Sequence, residues 1–177
     1  MRVLSIDPAL RNTGYAVLEK AISNDGRKVP QRDQYNTLTY GVVHNPPKIS
    51  QSECLVATRA KLDEVIREHQ PNVCAIESII YVQSYKTAIT MGAARGAALI
   101  AAAENGLKIH EYAPKRVKQA VVGRGAASKE QVAFMMRALL GLTETPPSDA
   151  ADALAIGLAH FYTEAMGNVL GTARAAI

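Results

Sequence analysis

Four carboxylates, those of Asp7, Glu77, Asp149 and Asp152, carry the chemical interest of this sequence. Glu77 follows Val73-Cys74-Ala75-Ile76 and precedes Ser78-Ile79-Ile80, so an acid interrupts an otherwise apolar stretch. A carboxylate buried there must become neutral or find a partner. Asp7 repeats the pattern after Leu4-Ser5-Ile6, with a turn acid at a strand end as the plainer alternative. Asp149 and Asp152 sit three residues apart, which puts both on nearly the same side of a helix's first turn. An ordinary helix start explains that pair too, because exposed N–H groups and the helix dipole favour acids.

Together, the four would form a cation site. Two like charges about 4 Å apart repel by roughly 4 kcal/mol at an effective dielectric near ~20. Such a cluster stays ionised at neutral pH only with compensation. Two Mg²⁺ ions suit these hard oxygen ligands and could sit about 3.5–4 Å apart. The chemistry such a pair performs on a phosphodiester is hydrolysis, with water activated as nucleophile and the leaving 3′ oxygen stabilised. Lys118 or Lys129 could offset charge on the phosphate, although simple contact with a phosphate backbone is equally open for both.

The basic residues favour such a substrate. Residues 86–137 hold nine Lys/Arg against three acids, while the rest of the chain holds eleven against thirteen. From Pro114 to Lys129 there are five cations and no anion. A one-sided field of this kind suits a polyanion such as nucleic acid, with a merely basic solvated surface as the alternative.

These side chains need a scaffold, and the hydrophobic pattern predicts one. Residues 2–7, 13–19 and 38–43 read as strands, with Asn24-Asp25-Gly26 marking a turn in an extended hairpin. Three-to-four spacing predicts a helix from a Ser52 cap to about His69, closed by Pro71-Asn72. A short strand at 73–76 then carries Glu77 at its end. Ser84 would cap an Ala-rich helix to about Glu104, followed by a strand at 108–112 and a helix opening at Pro114. Helices at 129–140 and 149–165 complete the pattern. Three meandering strands followed by alternating helix and strand imply an α/β fold, a mixed sheet with helices on both faces.

The chain's 177 residues suffice for one core, with 48% apolar and 20% charged residues. Residues 1–166 are expected to form that domain and 167–177 a flexible C-terminal tail. No stretch is apolar enough to span a bilayer and no signal peptide is evident at the start, so the expectation is a cytoplasmic protein without membrane contact. Cys54 and Cys74 fit buried thiols in a reducing compartment.

Five motifs run in order along the chain. They are Ile6-Asp7-Pro8 with Arg11 and Thr13-Gly14-Tyr15, then Ala75-Ile76-Glu77, then Gly92-Ala93-Ala94-Arg95-Gly96. Val117-Lys118-Gln119-Ala120-Val121-Val122-Gly123 and Asp149-Ala150-Ala151-Asp152-Ala153-Leu154-Ala155 follow. Each alone is weak, but five in order are specific, and by them the chain resembles the RuvC family of Holliday junction resolvases over nearly its whole length. The resemblance implies an RNase H-like five-stranded sheet whose first three strands are antiparallel, a homodimer, and dependence on Mg²⁺ or Mn²⁺. It also implies paired nicks in four-way junction DNA and cooperation with the RuvA–RuvB branch-migration complex. By motif position, Asp7, Glu77, Asp149 and Asp152 would bind metal, and Lys118 and Lys129 would assist catalysis. Arg11, Tyr81, Lys86, Arg95, Lys115, Arg116 and Arg124, with the same two lysines, are candidate DNA contacts.

Three features depart from the family pattern. Ala9-Leu10 replaces a more glycine-rich turn, the segment 19–37 is longer, and Ile80-Tyr81 stands where a stacking aromatic is expected. Tyr81 shifted by one position could stack on unpaired bases. The competing functions are an RNase H-like nuclease on other nucleic acid, such as ribosomal RNA precursors, and a junction-binding protein without activity. An actin-like ATPase fits poorly, since Gly123–Lys129 is no proper phosphate loop.

Overall fold

The computed structural model describes residues 1–21, 34–79 and 84–170, with backbone alone for 168–170. In chain order the strands are β1 (Arg2–Asp7), β2 (Asn12–Lys20), β3 (Tyr35–His44), β4 (Val73–Glu77) and β5 (Lys108–Tyr112). The helices are α1 (Gln51–His69), α2 (Tyr85–Glu104), α3 (Pro114–Val122), α4 (Lys129–Leu140) and α5 (Ser148–Leu170). The sheet order is β3-β2-β1-β4-β5, with β1, β2 and β3 antiparallel in turn and β4 and β5 parallel to β1.

Side chains alternate across a strand, so each strand feeds two cores. On one face Val3, Ala75 and Tyr112 pack under α3, α4 and α5. On the other, Leu4, Ile6, Cys74, Ile76 and Ile109 pack under α1 and α2. Helices therefore cover both faces, as the element pattern implied.

Two glycines decide how close α5 comes to the sheet. A Cβ on Gly14 would lie 1.9 Å from the Asp149 carbonyl oxygen. One on Gly157 would lie 2.8 Å from Leu18 Cδ1 and 2.9 Å from Ser5 Oγ. At Gly14 the obstacle is backbone, so a side chain there would force the helix away, whereas at Gly157 buried Leu18 and Ser5 would first have to give way. Ala150, Ala151 and Ala153, all fully buried, keep the contact thin along its first turns.

Several boundaries differ from the sequence reading. The N-cap of α1 is Ser50 rather than Ser52. Ser50 has Glu53 three residues on and exchanges reciprocal hydrogen bonds with it, whereas Leu55 offers Ser52 nothing comparable. Gln70, in the left-handed conformation at φ 45°, ends that helix before Pro71. Ser84 caps α2 by position, without a side-chain hydrogen bond. Helix α5 continues through Leu170, past the expected end near 165. The strands of the long hairpin pair as far as Lys20 with Tyr35, and Ala21 N–H donates to the Gln34 carbonyl at 2.8 Å. Its connection, with the Asn24-Asp25-Gly26 turn, lies outside the described residues.

Candidate active site

Asp7 and Glu77 end β1 and β4, adjacent parallel strands held in register by the Ile6–Ile76 pair. Each lies two residues beyond one that faces α5, Ser5 and Ala75 respectively, so both carboxylates turn towards that helix. The carboxyl ends of parallel strands are where open α/β sheets place their ligands. Gly14, the register partner of Asp7, admits the N-terminus of α5 at this point and brings Asp149 and Asp152 with it. Asp7, Asp149 and Asp152 each offer an oxygen within 4.8 Å of the others. Glu77 joins them through a hydrogen bond shared with Asp7.

The electrostatics show the strain of this convergence. Burial pushes Glu77 up to about 8, with Asp7 and Asp152 adding to the effect. Asp7 rises to about 6, again chiefly through burial and then through Asp152. Asp152 is also raised by burial, against the opposing pull of Lys129 and Lys118. Burial works against the Lys129 ammonium, but Asp152, Asp149 and Asp7 outweigh it and raise its pKa. Its Nζ stands 3.4 Å from Asp152 Oδ2 and 3.7 Å from Asp149 Oδ1. Lys118 Nζ donates to the Ala127 carbonyl at 2.9 Å while its charge reaches Glu77 and Asp152. Two ammonium groups thus serve four carboxylates, and the residual negative charge is what a divalent cation neutralises. Carboxylate oxygens at this spacing fit Mg²⁺ or Mn²⁺ in donor type.

The candidate DNA contacts divide into two groups. Lys86, Lys115, Arg116 and Arg124 are exposed. Arg11 and Arg95 instead engage the protein. Arg11 Nη1 donates to the carbonyls of Pro46 at 2.7 Å and Ile49 at 3.1 Å, tying the turn after β1 to the start of α1. Arg95 is ion-paired with Glu111 on the α1/α2 face of the sheet. Their motif positions could not reveal this, because an arginine's sequence neighbours do not say which way it turns. Tyr81 and Ile80 lie outside the described residues.

Thr13 and Asn45 also shape the site and carried no charge to attract notice. Thr13 Oγ1 donates to the Ala9 carbonyl at 2.6 Å and accepts the Ala9 N–H at 3.2 Å. Asn45, 2% exposed, donates from Nδ2 to the Leu10 carbonyl at 2.9 Å. These bonds fix the turn beyond Asp7 without the glycines expected there. The Thr13-Gly14 pair was visible in the sequence, but its reason needed the neighbouring helix.

Comparisons with known proteins address the chain as a whole. The family model for crossover junction endodeoxyribonuclease RuvC matches residues 3–160. A RuvC from Akkermansia muciniphila is 58% identical over 92% of each chain. The structure of Thermus thermophilus RuvC in complex with a Holliday junction substrate superposes with a TM-score of 0.81 at 36% identity, covering 98% of each chain. The yeast mitochondrial Holliday junction resolvase Ydc2, at 15% identity and a TM-score of 0.56 over 94% of this chain and 80% of its own, shares the fold. The RNase H-like sheet and these matches agree, and the chain belongs to the RuvC family of crossover junction endodeoxyribonucleases.

Proposed function

We propose that the protein resolves four-way DNA junctions by paired, symmetric phosphodiester nicks, with Asp7, Glu77, Asp149 and Asp152 as the metal ligands. The observation that carries this reading is the meeting of Asp7, Asp149 and Asp152 within 4.8 Å, bordered by Lys129. Asp7 belongs both to that triad and to the contact with Glu77, so it is the carboxylate suited to serve two ions. Mg²⁺, with Mn²⁺ as a substitute, would supply activation of water and charge stabilisation at the leaving 3′ oxygen.

The protein's own groups bind, position and neutralise. The four carboxylates define where the scissile phosphate sits. Lys129, already beside two of them, lies where it can offset charge that develops on the phosphate oxygens. Lys118 balances the Glu77 side of the cluster. Exposed Lys115, Arg116 and Arg124 on α3 and the loop after it suit backbone contacts that orient the junction without reading bases. Arg11 and Arg95 act as scaffold. Tyr81 retains its proposed role as a stacking aromatic.

Paired nicks in equivalent strands call for two equivalent sites, which supports a homodimer. The exposed apolar side chains of Tyr85, Ile89 and Ile100 on α2 are compatible with burial against a second subunit. Resolution in concert with RuvA–RuvB, in the cytoplasm, completes the reading. No helix among the described residues is long and apolar enough to cross a membrane.

The test is a synthetic mobile junction incubated with purified protein and Mg²⁺, with nicks mapped on every strand. Symmetric, ligatable nicks are expected. Preferential cutting of RNA would replace the junction with another substrate, and binding without cutting would remove the catalytic assignment.

A further inference from the structure

The loop joining α3 to α4 must hold Lys129 against Asp149 and Asp152, yet its composition favours mobility. Gly123-Arg124-Gly125-Ala126-Ala127 contains two glycines and two alanines around one arginine, a poor basis for fixing a backbone. Its order comes from outside. On the α4 side, Ser128 and Gln131 exchange capping-box hydrogen bonds at 3.3 and 2.9 Å, which fixes the turn where Lys129 begins the helix. On the α3 side, one exposed residue, Gln119, does comparable work.

The Gln119 side chain binds the loop with both ends of its amide. Nε2 donates to the Gly123 carbonyl at 2.8 Å, and Oε1 accepts the Gly125 N–H at 3.1 Å. Its backbone carbonyl accepts the Gly123 N–H at 3.1 Å, where Gly123 closes α3 at φ 77°. The loop is thereby drawn back along α3, so that a Cβ on Gly125 would lie 3.4 Å from the Lys115 carbonyl oxygen. Two further bonds complete the return: Ala127 N–H to the Arg124 carbonyl at 3.2 Å, and Lys118 Nζ to the Ala127 carbonyl. A carboxylate at position 119 would lack the donor of this fork, and an ammonium group would lack the acceptor.

We propose that Gln119 is a positioning residue for catalysis, clamping the 123–127 loop so that Lys129 faces the acidic cluster. This rests on the assignment of Lys129 given above. The Gln119 side chain bonds the loop rather than the carboxylates, and its effect passes through the loop to the lysine. An exposed glutamine that merely decorated a helix end would matter little to rate.

The experiment measures single-turnover junction cleavage at saturating protein for the unsubstituted chain, Gln119→Ala, Gln119→Glu, Lys129→Ala and the Gln119→Ala/Lys129→Ala double variant. Junction affinity without divalent metal and the thermal midpoint are measured alongside. Misplacing Lys129 should slow Gln119→Ala by about tenfold. Affinity and midpoint should stay near those of the unsubstituted protein. Gln119→Glu, which keeps the acceptor but sets a carboxylate against the Gly123 carbonyl, should be at least as slow. In the Lys129→Ala background the Gln119 substitution should have no further effect, because residues acting through one another are not additive. An unchanged rate for Gln119→Ala, or the same loss in both backgrounds, would overturn the proposal. If Lys129→Ala alone cuts at full rate, the assignment of the lysine fails, and the route from Gln119 through it fails too.

Discussion

The two faces of the sheet treat charge in opposite ways. On the α1/α2 face several charged groups pair with one another: Arg95 with Glu111, Arg59 with Glu104, and Asp63 with both Arg67 and Asn105. On the α5 face, four carboxylates gather around two lysines, and burial with mutual repulsion raises three of them. Alanine-rich helices cover both faces, so packing alone does not make the difference. The first face uses charge to hold the fold, and the second crowds carboxylates that protons or a divalent cation would relieve. Removing a charge from the first face should therefore cost stability and spare activity, whereas removing a carboxylate from the second should cost activity and spare stability.

The sharpest break is Asp7→Asn. Losing the carboxylate suited to serve both ions should reduce Mg²⁺-dependent nicking by about 10³-fold or more while junction binding persists. Without metal the variant should be more thermostable than the parent, since a neutral amide relieves the cluster. Nicking within tenfold of the parent would remove Asp7 from the metal site.

Lys129→Ala should lower single-turnover cleavage by roughly 10²-fold, the usual scale for losing one charge-stabilising donor. Lys129 lowers the pKa of Asp7, so its removal should also move the acid limb of the pH–rate profile to higher pH. A slower enzyme with an unmoved limb would separate the lysine from Asp7.

Gly14→Ala tests the seat of α5. The added methyl meets the Asp149 backbone and should destabilise the protein by about 1–3 kcal/mol. Cleavage should fall further than unfolding accounts for, because Asp149 and Asp152 would be displaced. Retained full activity in the folded fraction would mean that the helix start is not set here.

On the paired face, Glu111→Ala should cost about 1–2 kcal/mol in chemical denaturation, a partly exposed ion pair lying between the buried and surface limits. Activity per folded molecule should be unchanged. A loss of activity without a loss of stability would erase the contrast between the faces.

The smallest effect is on the pH dependence of stability in metal-free protein. Asp7 and Glu77 hold protons in the folded state that the unfolded chain releases, with folded values of about 6 and 8 against ordinary values of 3.8 and 4.5. Their stabilising contribution is complete below the ordinary values and is lost as pH rises through the folded ones. The thermal midpoint should therefore decline between about pH 4 and 8 by more in the parent than in Asp7→Asn. Mg²⁺ should raise it more at pH 8 than at pH 5, because protons compete for the same oxygens. A midpoint shift from Mg²⁺ that is equal at both pH values would count against the carboxylates as ligands.

Much of the molecule was legible in the chain because alternation and helical spacing are local properties. Residues 2–7, 108–112 and 129–140 read from the pattern coincide with β1, β5 and α4. The acids of Asp7 and Glu77 stood out because each broke an apolar run. The cap of α1 falls on Ser50 rather than Ser52 because Ser50 is the serine that exchanges bonds with Glu53.

What the sequence by itself determined is which residues face which side of a strand or helix, and that four acids occupy suspicious places. Only the tertiary structure decided that these acids meet, that Arg11 and Arg95 turn into the protein, and that Gly14 admits the helix bearing Asp149 and Asp152. Periodicity specifies a direction relative to the local backbone. The partner waiting in that direction comes from elsewhere in the chain, and so does the compensation of each charge.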